Sequence, residues 1–185
     1  LSLAIRGVGG QGNLFFGKVL AQVAFLAGYD DRNILKGETH GMAQMGGPVI
    51  STFGCGEVFS PALVPGTANV LIAMEKAEVL RPGFLDLLEP GGTVLMADTR
   101  ILPHGLKPEA YPSDEAIAAQ LEGYRVVSVD VLSIALNLGD PKGRCANVAM
   151  LGVLSTLPPF DVVPEAVWLQ ALRGISRKPA LWDLN

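Results

Sequence analysis

The sequence predicts an α/β fold, a mostly parallel sheet held between two helical layers, and three observations carry that prediction. A short apolar run at 3–6 stops at a cluster of glycines and passes straight into good helix formers at 13–27. The segment Asn69-Val70-Leu71-Ile72-Ala73-Met74 is a near-continuous apolar run, the pattern of a strand buried on both faces in the middle of a parallel sheet. Strand and helix patterns then alternate along the chain, which is the order of crossover units. Together these give a single three-layer, Rossmann-like domain over residues 1–185.

Each element has its own signal. In helix 13–27, Phe16, Val19, Leu20, Val23, Ala24 and Ala27 share one face, Phe15 and Phe25 fall on the other, and Gly28 stops the helix. A helix apolar nearly all round is expected to be covered on both sides, by the sheet and by a further layer or another chain. Residues 48–53 read as a strand. Residues 75–88 are helical in pattern but contain Pro82-Gly83, which predicts a break or two short helices. Pro90-Gly91-Gly92 reads as a turn and 93–97 as a further buried strand, and the strand, helix, strand order predicts right-handed crossovers with parallel pairing. Three prolines and no periodicity make 102–113 a surface excursion. Residues 114–121 form a short helix capped by Ser113, 124–129 a strand, and 131–138 a helix ended by Gly139. Residues 143–157 form a second helix apolar nearly all round, also expected to be covered on both sides and halted by Pro158-Pro159. Pro164 opens a last helix that runs to about 174.

Composition narrows the class of function. The chain has 185 residues, 49% of them hydrophobic, and its 17% of charged residues falls below the usual quarter. That apolar surplus is best explained by burial against another protein subunit. No apolar run reaches the roughly 18 to 20 residues of a membrane span, because Lys18, Gln22, Arg144 and Asn147 interrupt the richest stretches. A net charge of −4 with no cluster of Lys and Arg gives nucleic acid nothing to hold. Cys55 and Cys145 are far apart and form no CxxC pair, so they supply neither a disulfide framework nor a cluster site and fit a reducing, cytoplasmic setting. The first residues lead directly into the glycine loop without the basic region and long apolar stretch of a signal peptide.

Two loops carry the candidate site. Gly7-Val8-Gly9-Gly10-Gln11-Gly12 fits G-x-G-x-x-G between a strand and a helix, where backbone N–H groups and the helix dipole face a phosphate; a tight turn that uses glycine for close packing fits equally. Gly9, Gly10, Gln11 and Gly12 are the candidate contacts, and the amide of Gln11 can donate and accept at once, toward a ligand, a neighbouring loop or its own backbone. A dinucleotide dehydrogenase also needs an acidic residue about 20 positions on, closing the second strand. Asp30 and Asp31 precede that strand, and Glu38 falls late, inside the polar loop. That loop, 37–47, gathers Thr39, His40, Gly41, Gln44, Gly46 and Gly47, with Met42 and Met45 as adaptable packing groups. The two loops are read as one composite binding surface. No catalytic residue is assigned, because His40 has no opposed partner to orient it. No metal site is assigned either, because His40, His104, Cys55 and Cys145 lack ligand spacing. Asp130 and Asp140 read as helix-start or turn residues. Arg144 and Asn147 lie three apart on one helical face, open to an anionic ligand or to solvent.

These motifs, together with Glu38-Thr39-His40-Gly41-Met42-Ala43-Gln44-Met45-Gly46-Gly47-Pro48-Val49, Ser60-Pro61, Ala73-Met74-Glu75 and Pro90-Gly91-Gly92-Thr93-Val94, occur in the order seen in the gamma subunit or domain of 2-oxoacid:ferredoxin oxidoreductases. The Glu-Thr-His-Gly-Met-Ala-Gln form is most similar to the indolepyruvate oxidoreductase beta subunit. The resemblance covers 3–157 and extends more loosely to the end. It implies a complex that oxidatively decarboxylates a 2-oxoacid such as indolepyruvate or pyruvate on thiamine diphosphate, passes electrons through [4Fe–4S] clusters to ferredoxin, and transfers the acyl group to coenzyme A. This chain cannot do that alone, since Gly139-Asp140-Pro141 has proline where the Gly-Asp-Gly of a thiamine motif has its closing glycine, and two cysteines cannot ligate a four-thiolate cluster. The resemblance therefore implies a non-catalytic subunit that binds no cofactor by itself, with thiamine diphosphate and the clusters on a partner subunit and coenzyme A as co-substrate near the two loops. It also implies a further helix after 178–185, so the native C-terminus is open to extension. The competing expectations are an autonomous NAD(P)-binding dehydrogenase and a pure assembly module.

Overall fold

The computed structural model describes residues 1–38, 46–102, 105, 107–143 and 145–175. Thr39, His40, Gly41 and Gln44 of the polar loop lie outside the described residues, as do Met42, Met45, His104 and Arg144. Among the described residues, β1 (Ser2–Val8), β2 (Ile34–Glu38), β3 (Pro48–Cys55), β4 (Ala68–Ala73), β5 (Leu88–Ala97) and β6 (Arg125–Val129) form one sheet in the order β2-β3-β1-β4-β5-β6. β1, β4, β5 and β6 pair in parallel, with Leu3 opposite Val70, Leu71 opposite Val94 and Val94 opposite Val126. The mostly parallel α/β sheet is as the sequence predicts, with one exception. β3 runs antiparallel to both neighbours, slotted between β1 and β2. β3 follows β2 after a connection too short for a helical crossover, and strands joined that way pair antiparallel, which the residue pattern of β3 itself does not encode.

The helices are α1 (Asn13–Leu26), α2 (Asp114–Gln120), α3 (Val131–Asn137), α4 (Ala146–Leu154) and α5 (Glu165–Ile175). Side chains alternate across each strand, so Leu3, Ile5, Val70, Ile72, Leu95 and Ala97 face one side and pack on α1, α4 and α5. Ala4, Leu71, Ala73, Val94 and Met96 face the other side, against Val79, Phe84, Leu85, Ile117 and Leu121. The link from β1 through α1 to β2 therefore crosses one face, and the links from β4 to β5 and β6 cross the opposite face. Moving outward in opposite directions on opposite faces is what a single crossover hand requires, and it puts the reversal of strand order between β1 and β4.

Several expected elements differ in form. Residues 75–88 hold two 3-10 turns, Lys76–Leu80 and Leu85–Leu87, in place of an α-helix, and the chain breaks at Pro82-Gly83 with Gly83 at φ 76°. Pro90-Gly91-Gly92 is no separate turn but a shift of register inside β5, which starts early, at Leu88. The expected helix 143–157 contracts to α4, because a turn held by Asp140, whose Oδ2 accepts from the Cys145 N–H at 2.8 Å, occupies its start. Ser113 caps α2 and Asp130 caps α3 as read from sequence, accepting from Ala116 N–H at 3.2 Å and Ser133 N–H at 3.0 Å. α4 is covered nearly all round, with Val148, Met150, Leu151 and Leu154 buried and only Gly152 exposed. α1 departs from the expectation of two-sided cover: Phe15 packs against the core, but Leu14 and Phe25 are 52% and 57% exposed. No helix among the described residues is long and apolar enough to cross a membrane.

Candidate functional site

β1, β4, β5 and β6 all end at the same edge, and a crevice of about 380 Å³ opens there beside the reversal of strand order. Its walls are Gly10, Gln11 and Gly12 after β1, Met74 after β4, Thr99 and Ile101 after β5, Val131 and Leu132 at the start of α3, and Lys142, Gly143, Ala146 and Asn147 leading into α4. This is where open α/β sheets hold ligands. The loop needs its glycines for stated reasons. Gly10 and Gly12 sit at φ 102° and 87°, where a side chain is strained, and a Cβ on Gly12 would lie 2.5 Å from Asn147 Nδ2. No side chain caps α1, so its first-turn amides keep their hydrogen-bonding capacity at the crevice edge.

Of the sequence-predicted site residues, Gly9, Gly10, Gln11, Gly12, Gly46 and Gly47 are described, and they come together. The Gly9 N–H donates to the Gly47 carbonyl at 2.9 Å, because β3 runs antiparallel to β1 and so starts where β1 ends. Gln11 uses its amide within the chain: Oε1 accepts from the Val8 N–H at 2.8 Å, and Nε2 donates to the Met74 carbonyl at 2.7 Å. Asn147 reaches the crevice, while Arg144 lies outside the described residues. Lys142 brings a positive charge to the wall with no ion pair among the described residues. The Thr99 hydroxyl, also in the wall, is buried without a hydrogen-bond partner. Asn13, buried in the first turn of α1, likewise has both amide atoms unpartnered.

Just behind the crevice lies a polar cluster that sequence reasoning missed. Glu75 is 2% exposed, and its Oε1 accepts from the Tyr111 hydroxyl and, at 3.3 Å, from the Ile101 N–H. Burial pushes the Glu75 carboxyl above its ordinary range, those two hydrogen bonds pull it back in part, and Glu78 adds repulsion. Glu78, equally buried, accepts from Arg81 at 2.9 and 3.0 Å and faces Arg6 at 3.6 Å. Burial lowers the Arg6 guanidinium, which also stacks 5.5 Å over the Phe84 ring. The available signal was weak: Arg6 interrupts an apolar strand, and Glu75 directly follows the most apolar run in the chain.

The chain and its fold are similar to known proteins. A family model for pyruvate ferredoxin/flavodoxin oxidoreductase matches residues 2–185. The chain belongs to that family. Its relatives include the indolepyruvate oxidoreductase subunit IorB of Archaeoglobus fulgidus, 34% identical over 158 residues that cover 83% of this chain and 75% of that protein. The crystal structure of the pyruvate oxidoreductase subunit PORC from Thermotoga maritima superposes with a TM-score of 0.69 at 19% identity, covering 100% of this chain and 89% of that one. The 2-oxoglutarate:ferredoxin oxidoreductase from Magnetococcus marinus, solved with 2-oxoglutarate, coenzyme A and succinyl-CoA bound, superposes with a TM-score of 0.66 at 18% identity; the match covers 100% of this chain but 29% of that one.

In this chain the glycine loop does not carry the dinucleotide arrangement. Glu38 does close a strand, β2, where the sequence had placed it in a loop. The strand beside β1, however, is β3, so Glu38 stands two strand spacings away, about 10 Å, where a dinucleotide ribose requires one. Glu38 also lies 3.8 Å from Lys36. Among the described residues no group of three or more His, Cys, Asp or Glu is placed to hold a metal.

Proposed function

We propose that this chain is the small, thiamine-free subunit of a 2-oxoacid:ferredoxin oxidoreductase, and that its crevice faces coenzyme A at the junction with the catalytic partner. The complex would convert a 2-oxoacid, coenzyme A and two oxidised ferredoxins into acyl-CoA, carbon dioxide, a proton and two reduced ferredoxins, with indolepyruvate as the substrate suggested by the IorB relatives. Thiamine diphosphate and [4Fe–4S] clusters, held by the partner, supply the decarboxylation and the electron path. The setting would be cytoplasmic. The observation that carries the coenzyme A reading is the convergence of the uncapped α1 N-terminus, Lys142, Asn147 and the unpartnered Thr99 hydroxyl on one crevice.

The chemistry fits an anionic ligand with polar arms. The Lys142 ammonium and the α1 dipole attract the pyrophosphate, while Thr99 and Asn147 offer hydrogen bonds to amide or phosphate oxygens. Gly10 leaves room for close backbone approach, since nothing lies within 4 Å of where its Cβ would be. Gly46 and Gly47 are assigned to the same surface, because the Gly47 carbonyl accepts from the Gly9 N–H. In the assembled complex Lys142→Gln is expected to raise the KM for coenzyme A roughly tenfold, the loss of one charge-assisted contact. Gly10→Leu, which fills the crevice, should do the same or more. Both should leave the coenzyme A-independent decarboxylation of the 2-oxoacid unchanged. An unchanged KM in both variants refutes the coenzyme A assignment.

A further inference from the structure

Gln11 sits on the crevice wall, yet both ends of its amide are committed to backbone groups on two different strands: the Val8 N–H at the end of β1 and the Met74 carbonyl just past β4. These strands flank the point where strand order reverses, so the side chain bridges the base of the crevice. One bond at each end fixes the direction of the amide and leaves it one N–H and one lone pair, so its first role is to tie the two strands together. The slot it occupies is open only because residue 7 is glycine. A Cβ on Gly7 would stand 2.9 Å from Gln11 Oε1, and the next nearest atoms, Asn13 Oδ1 and Met74 Cβ, lie at 3.0 Å. Of these the Gln11 and Asn13 carboxamides are the flexible groups, and any shift of the nearer, Gln11, strains its two backbone bonds.

We infer that Gly7 and Gln11 form one positioning unit that sets the glycine loop against β4, so that Gln11 acts on coenzyme A through the loop backbone. This rests on the proposed assignment of the crevice to coenzyme A. The unit fixes Gly10 and Gly12 between the Met74 carbonyl and Asn147, and with them the first amides of α1. Loss of either member frees the same loop, so the two losses do not compound.

The test uses the assembled complex and a double-mutant cycle. Gln11→Ala and Gly7→Ala are each expected to raise the KM for coenzyme A roughly tenfold, and the double variant also roughly tenfold rather than a hundredfold, with the rate of the coenzyme A-independent half-reaction unchanged. Multiplicative effects, or an unchanged KM in Gln11→Ala, overturn the inference. Should Gly7→Ala not fold, hydrogen exchange decides with Gln11→Met, which fills the slot without its hydrogen bonds. In the coenzyme A-free complex the amides of residues 8–13 should then exchange at least about tenfold faster than in the parent, as expected when roughly 1.4 kcal/mol of local protection is lost. Unchanged exchange means Gln11 does not position the loop. Failure of the coenzyme A assignment shows separately, as Lys142→Gln and Gly10→Leu complexes that both keep the parent's KM.

Discussion

The two faces of the sheet are built to different ends. The face covered by α1, α4 and α5 is mainly apolar, with Leu3, Ile5, Phe16, Leu20, Met150, Leu151 and Leu154 almost wholly removed from water. The opposite face has short 3-10 turns and α2 over it, and sets Glu75, Glu78 and Arg6 close to Ala73 and Phe84. Burying carboxylates costs stability that apolar residues would not cost, and they persist here because each has donors in place. The Glu75 donors are Ile101, in the crevice wall, and Tyr111, so the polar face anchors the segment that shapes the site while the apolar face holds the domain together.

Substitutions on the two faces should therefore differ in size, sign and pH dependence. The largest effect belongs to Leu154→Ala, at a fully buried position: about 2–5 kcal/mol lost in urea unfolding of the isolated chain. A loss below 1 kcal/mol would mean that the α4 side is not the stabilising core. Gly152→Ala on the same helix should go the other way, gaining about 0.5–1 kcal/mol, because Gly152 is an interior helical glycine whose Cβ would meet nothing within 4 Å. A loss there would show that something packs on that glycine.

On the polar face the expected signature is a slope with pH. The Glu75 carboxyl is raised in the folded chain, chiefly by burial, above its ordinary value near 4.5. Below that value both folded and unfolded chains are protonated at Glu75, and its contribution to stability is fully present. As pH rises, the unfolded carboxyl ionises first, and stability is lost until the folded group has ionised too. Glu75→Gln removes that term. The unfolding midpoint of the variant relative to the parent should improve between pH 4 and pH 7, and a relative decline over that interval would reverse the sign assigned to Glu75.

Much of this architecture was legible in the residues, for physical reasons that also mark the limits. The runs 69–74 and 93–97 are buried on both faces, so apolar character alone reveals them, and Ser113 and Asp130 announce helix starts through their hydrogen-bonding chemistry. β2 escaped notice because Ile34-Leu35-Lys36-Gly37-Glu38 is a half-buried edge strand with a glycine and two charges, which looks like loop. The meeting of the glycine loop with Gly47 depends on β3 being antiparallel to β1, a pairing choice made by the whole sheet. Glu75 and Glu78 were invisible because a charged residue in sequence defaults to the surface, and only the fold supplies the donors that let them be buried. Phe25 belongs to a helix expected to be covered on both sides, and in the chain by itself it is exposed, as is Leu14. Apolar surface of this kind fits a subunit that works within a larger assembly.

The most direct test of that account measures viologen reduction by indolepyruvate, with thiamine diphosphate and coenzyme A supplied, first for the purified chain and then after adding the thiamine- and cluster-bearing partner. The account predicts no reduction by the chain alone, and reduction coupled to coenzyme A consumption once the partner is present. Reduction by the isolated chain, free of partner, would contradict it.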